Sequence, residues 1–206
     1  MNMSGSKKPG LAGAVSGSGE RLSSNDGGSL AAAIYKATGV DVAKCYQCGK
    51  CTAGCPMAGY MDLSVNQVMR LAQIGDSASS EELLHSAALW HCAGCLTCTQ
   101  RCPRELDPAA VMDVLREMAY CQGRAPDEAK RIRAFHEAFL KNVECDGRMG
   151  EIPLVVRYKL LSRDFFSDVT LAPRMLAKGK LPLRPHRIQG RAEIRRIFAA
   201  CRRRKS

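Results

Sequence analysis

The chain has 206 residues, a formal net charge of +11 and eleven cysteines, a length that serves one domain with extensions. No run approaches the ~18 apolar residues that a membrane span needs, and the apolar run Leu11–Val15 behind Lys7 and Lys8 is too short, and too broken by Gly13, for a signal peptide. A secreted disulfide framework and direct membrane insertion are thereby not expected. The cysteines read as metal-binding or redox groups of a cytoplasmic protein.

Residues 1–29 contain seven Gly and seven Ser. They bury too little apolar surface to offset the entropy of ordering them, so a flexible tail is predicted. A short helix, Leu30–Thr38, stopped by Gly39, follows. Between the two cysteine runs, Ser64 is placed to cap a helix carrying Val65, Val68, Met69 and Ala72, with Gly75 as its stop. Ser79 with Glu82 forms a capping box for a second helix with Leu83, Leu84 and Ala87. After the second run, Asp107 and Pro108 supply an N-cap and first helical residue. Val111, Val114, Leu115 and Met118 form the buried stripe and Gly123 the end. Pro126 opens a helix with Ile132, Phe135, Phe139 and Val143 on one face. Leu154–Leu161 is predicted as a shorter helix, Leu171–Gly190 as irregular because of Pro173, Gly179, Pro182 and Pro185, and Ala192–Arg203 as a basic helix. No segment alternates as a strand does, and the fold class is all-α.

The charge is lopsided. From Leu171 to Ser206 there are 12 Lys or Arg and one acid, Glu193, whereas residues 1–170 are balanced at 19 of each sign. Apolar Leu181, Leu183, Ile188, Ile194, Ile197 and Phe198 interrupt the basic groups. That mixture fits docking on an acidic, partly apolar protein surface better than tracking a nucleic-acid backbone, so no nucleic-acid partner is expected. The predicted organisation is a tail (1–29), a cluster-binding domain (30–125) and a helical, basic docking extension (126–206).

The chemistry lies in the cysteines. Cys45, Cys48, Cys51 and Cys55 recur 47 residues on as Cys92, Cys95, Cys98 and Cys102, each run ending in Cys-Pro. A cubane needs one thiolate at each of four irons. The CxxCxxC spacing wraps three round the cube, and in two-cluster ferredoxins the fourth serves the other cluster. The expected sets are Cys45, Cys48, Cys51 and Cys102 for one 4Fe–4S cluster, and Cys92, Cys95, Cys98 and Cys55 for the second. Zinc accounts for paired CxxC but not for the third cysteine and the Cys-Pro of each run. Cys121, Cys145 and Cys201 are read as buried or incidental thiols. His91 is read as packed or solvated although it adjoins Cys92, and Tyr46 and Trp90 as covering the clusters from water. No nucleotide-binding glycine motif, nucleophile pattern or CCG sequence accompanies the runs. No catalytic residue is assigned, and the expected role is an electron relay inside a larger complex.

CYQCGKCTAGCP at Cys45–Pro56 and CAGCLTCTQRCPRELD at Cys92–Asp107, with the following VMDVLREMA helix, resemble the C subunit of heterodisulfide reductase. GRMGE at Gly147–Glu151 and LAPRMLAKGKLPLRPHRIQG at Leu171–Gly190 extend the likeness over roughly residues 30–200. The resemblance implies an α-helical ferredoxin fold. It also implies a relay from a flavin and iron–sulfur A subunit to a B subunit whose CCG motifs hold disulfide-cleaving clusters. The cysteine runs alone are shared with iron–sulfur subunits of quinone-linked dehydrogenases, which gives the alternative setting.

Overall fold

The computed structural model describes residues 29–163 and 188–205. Among them the chain forms helices and 3₁₀ turns with no strand, the all-α architecture expected. Helix α1 (Leu30–Thr38) starts where Ser29 accepts from the Ala32 N–H and stops at Gly39, in the left-handed region. A 3₁₀ turn, Val42–Lys44, leads into the first cysteine run, which contains α2 (Lys50–Ala53). In α3 (Val65–Ile74), Ser64 and Gln67 make a capping box, and the four expected apolar residues are buried.

The expected box at Ser79 does not form. Helix α4 (Ser77–His85) starts three residues earlier because the Asp76 carboxylate caps it, accepting from the Ser79 N–H at 2.7 Å. Ala87 lies beyond α4, and Ala88–His91 forms a separate turn of helix, α5. Helix α6 (Thr97–Arg101) sits inside the second run. Helix α7 (Pro108–Cys121) is capped by Asp107, with Pro108 first, as expected, and it buries Met112 beside Val111, Leu115 and Met118. Val114 is only partly covered.

One apolar core joins α1, α3, α4, α5 and α7, with Ile34, Met69, Leu83, Leu89, Met112 and Leu115 fully inside. Each such side chain contributes about 1.5–3 kcal/mol on burial. Helices α2 and α6 pack on one another at its edge, and Cys45, Cys92 and Cys102 lie against it. Gly54 and Arg101, 47 residues apart, meet where these two helices touch: the Arg101 side chain fills the space that a Cβ on Gly54 would need.

Beyond a 3₁₀ turn, Asp127–Ala129, α8 (Lys130–Asp146) packs on α9 (Glu151–Ser162) and α10 (Arg191–Lys205). The residues that α8 buries are Ala134, Ala138 and Asn142. Phe135 and Phe139 of the expected apolar face stay 44% and 37% exposed, stacked on one another at 6.4 Å with Tyr158 edge-on to Phe135. Close approach through small residues fills the helix contact, so the rings are left outside it. Helix α9 begins three residues before the expected start, at a turn held by Asn142 Nδ2 donating to the Gly150 carbonyl at 2.7 Å. Arg202 of α10 donates to Glu144 at 2.6 Å, and Lys141 donates to the other carboxylate oxygen at 3.1 Å. Gly147 is left-handed at φ +80°, and a Cβ there would also strike Ile188. Of the predicted tail (1–29), residues 1–28 lie outside the described residues, as do residues 171–187 of the irregular stretch (171–190).

Candidate metal centres

The two cysteine loops repeat in backbone as well as in sequence. Gln47 and Gly94 are equivalent under the 47-residue shift and both are left-handed, at φ +61° and +62°. So are Gly49 and Leu96, at +75° and +60°. Each loop thus makes two left-handed steps, with one glycine and one other residue in exchanged order. The non-glycine steps cost roughly 1–2 kcal/mol each, strain of the kind that survives where a site requires the curl.

The exits are also paired. Thr52 and Thr99 follow the third cysteine of each run. Thr52 Oγ donates to Asn66 Oδ1 at 2.6 Å and accepts from the Asn66 N–H at 3.0 Å, fastening loop one to the start of α3. Thr99 donates at 2.6 Å to Asp107, the cap of α7. The entries are held from α3 and α7 respectively. Gln73 Nε2 donates to the carbonyls of Val42 and Cys45 at 2.8 and 2.7 Å. Arg116 donates from Nε to the Leu89 carbonyl at 2.6 Å and from Nη2 to the Cys92 carbonyl at 3.2 Å. Asp62 steadies the approach to the second loop, accepting from Ser86 Oγ and from the Ala87 and Ala88 N–H groups at 2.7–3.0 Å. Burial works against the Asp62 carboxylate, but these bonds outweigh it and hold its pKa below the ordinary value.

Beside the loops lie two recesses. One is lined by Cys92, Cys95 and Cys98 together with Cys55. The other is lined by Cys45, Cys48 and Cys51 together with Cys102. The remaining walls are largely apolar, with Val65, Ala109 and Met112 at the first and Met69, Leu106 and Pro108 at the second. All eight thiols are free. Among the described residues no three Cys, His, Asp or Glu converge as ligands of a single ion would. Four thiols round an apolar hollow fit the donor chemistry of a four-iron cube, which takes one thiolate at each iron.

The thiols differ in setting. Burial pushes Cys51 and Cys98 up from the ordinary thiol pKa, against hydrogen bonds from Thr52 and Thr99. Cys95 is exposed and lowered by its contact with Thr97 at 3.4 Å; to a thiolate there, only the hydroxyl can donate. Gln47 Nε2 donates to Cys45 Sγ at 3.5 Å.

Tyr46 is largely exposed and Trp90 buried, and neither lines a recess; the covering role belongs to the apolar residues named above. The Trp90 ring instead lies beneath Arg133 at 5.9 Å. His91 also stays out of both linings, with Nδ1 buried and unpartnered. Cys121 and Cys201 are exposed and Cys145 half-covered, so of the two readings, buried or incidental, none of the three is a buried thiol. Gln73, Arg116, Asp62 and the two threonines escaped sequence reading. Only the threonines left a signal, a Cys-Thr pair at the same place in both runs.

The family described as 4Fe-4S dicluster domain matches residues 41–106. Similar proteins include the C subunit of the ferredoxin:CoB-CoM heterodisulfide reductase of Methanosarcina acetivorans, 39% identical over 80 residues, or 39% of this chain and 31% of that one. Its namesake from Methanosarcina mazei is 33% identical over 99 residues, 48% and 59% of the two chains. The C subunit of the H(2):CoB-CoM heterodisulfide,ferredoxin reductase of Methanothermobacter thermautotrophicus is 34% identical over 102 residues, 50% and 54%. The chain thus spans between a third and three fifths of the relatives it matches. Among the described residues no helix is long and apolar enough to cross a membrane. The protein carries a 4Fe–4S dicluster domain with two 4Fe–4S clusters and is similar, across that domain, to the C subunits of heterodisulfide reductases.

Proposed function

We propose that this chain is the electron-transfer subunit of a heterodisulfide-reductase-like complex. In this reading Cys45, Cys48, Cys51 and Cys102 hold one cluster and Cys92, Cys95, Cys98 and Cys55 the other. The observation that carries it is the crossing of the linings, each recess taking three cysteines from one run and the fourth from the other. Such sharing ties the runs into one unit and keeps two redox centres close. Each cluster supplies a one-electron couple. The protein's part is to fix eight thiolates, keep water from the apolar walls and brace both loops from α3 and α7.

The flavin and iron–sulfur A subunit is the proposed donor and the CCG-motif B subunit the proposed acceptor. Residues 30–125 form the relay domain, and 126–206 the extension that docks it. Supporting this division, the large exposed apolar side chains Phe135, Phe139, Leu140, Val156 and Leu160 gather on α8 and α9.

Anaerobically reconstituted protein is expected to be brown, with about eight irons per chain. Cys55→Ser and Cys102→Ser should each disturb the electron paramagnetic resonance signal of the cluster otherwise ligated by the opposite run. A colourless protein with stoichiometric zinc, or variants that each disturb the cluster of their own run, would overturn the ligand sets. Anaerobic co-purification should yield a flavoprotein and a CCG-containing protein; a quinone-reactive membrane protein instead would move the relay to the alternative setting.

A further inference from the structure

The duplicated loops are braced by different chemistry at one equivalent point. Val42 and Leu89 correspond under the 47-residue shift, as do Cys45 and Cys92. Gln73 and Arg116 each stand nine residues past the cap of their helix, Ser64 for α3 and Asp107 for α7. Both side chains donate to the corresponding pair of carbonyls. Copy one is held by a neutral amide and copy two by a guanidinium, which stays charged throughout the working pH range.

Carboxylates also stand near the second loop: Asp107 accepts from Thr99, where neutral Asn66 meets Thr52 in the first loop, and Asp62 holds the Ala87–Ala88 approach, so Arg116 acts against them. Arg116 has a side chain 24% exposed; its carboxylate partner Asp113, at 2.9 Å, is 63% exposed and so partly screened by water. Near the first loop, Lys44, Lys50, Arg70 and Arg104 are all exposed. Arg70 reaches only the far side of the Gln73 amide, at 3.4 Å, and Lys44 faces Asp41 at 3.8 Å.

We propose that Arg116 is a positioning residue that raises the reduction potential of the cluster held by Cys92, Cys95, Cys98 and Cys55 relative to its neighbour, so that a single electron in the relay is drawn there. The inference rests on the two-cluster reading. Reduction adds negative charge, and a half-buried cation bonded to the peptide carbonyl of a ligand favours the reduced form; a neutral amide supplies only the hydrogen bond. The difference biases the electron toward one cluster in a chain built from two like units.

The test is a redox titration of the full, anaerobically reconstituted chain, followed by electron paramagnetic resonance. Signals are assigned with the Cys55→Ser and Cys102→Ser proteins. Arg116→Gln places in copy two the residue that copy one uses. It should shift the electron's distribution about tenfold away from the second cluster, about 59 mV for a one-electron couple, with the first cluster little changed. Arg116→Lys, which keeps the charge without the fork, should retain most of the wild-type separation. An unchanged separation in Arg116→Gln, an equal movement of both potentials, or Arg116→Lys behaving as Arg116→Gln would each overturn the proposal. Should Arg116→Gln lose iron, Gln73→Arg decides: the first cluster must rise in potential. About eight irons in the wild-type sample establishes the two-cluster reading independently of any potential.

Discussion

The region from α1 to α7 and the arm formed by α8, α9 and α10 distribute their apolar residues in opposite ways. In the first, Ile34, Leu83, Leu89 and Leu115 are inside, and polar side chains at the edge brace the cysteine loops. In the second, Ala134, Ala138 and Asn142 are inside, while Phe135, Leu140, Val156 and Leu160 are exposed. The first region completes a core of its own. The arm closes with small residues and a few polar ties, and it displays side chains a core would normally claim. Burial, rather than helix content, is what separates the two regions.

Substitution of large apolar residues tests this contrast most strongly. Leu115→Ala should cost about 2–5 kcal/mol in urea unfolding of the isolated chain, and Phe135→Ala less than about 1 kcal/mol, because its ring is already 44% exposed. Equal losses would show that the arm is core-like and remove the distinction. Next in size is the brace before the second loop. Asp62→Ala removes the acceptor of the Ser86, Ala87 and Ala88 bonds and should cost about 1–2 kcal/mol, with faster loss of iron to a chelator. The Asp62 pKa is depressed on folding, so its contribution is full above the ordinary value of 3.8 and declines as pH falls below it.

The smallest effect concerns the arm. Hydrogen bonds from Arg202 and Lys141 lower the Glu144 pKa from 4.5 to about 2. This tie is therefore complete above pH 4.5 and is lost as pH falls toward about 2. Hydrogen exchange in α10 should accelerate over that window, and Glu144→Gln should exchange faster at neutral pH and respond less to acid. Exchange in α10 that is indifferent to both changes would mean that apolar contact, not Glu144, holds the helix.

Much of the α1–α7 region was legible because its signals are local. Gly39, Ser64, Gly75, Asp107 and Pro108 each act within a few residues of their place in sequence, and the 47-residue repeat exposed the two cysteine loops. Ser79 misled because Asp76, three residues earlier, is the better cap. Periodicity placed Phe135 and Phe139 on one face of α8 but could not report that α8 buries Ala134 and Ala138 instead. Gln73 and Arg116 were illegible for another reason: each acts on carbonyls more than twenty residues away in sequence, and carbonyls carry no sequence signature.

Where α2 meets α6, position 54 faces position 101, its own duplicate. Two arginines at that contact would compete for one space, and two glycines would leave it empty. A duplicated unit that folds back on itself meets its own counterpart at such a point, so a change at either position is felt at the other.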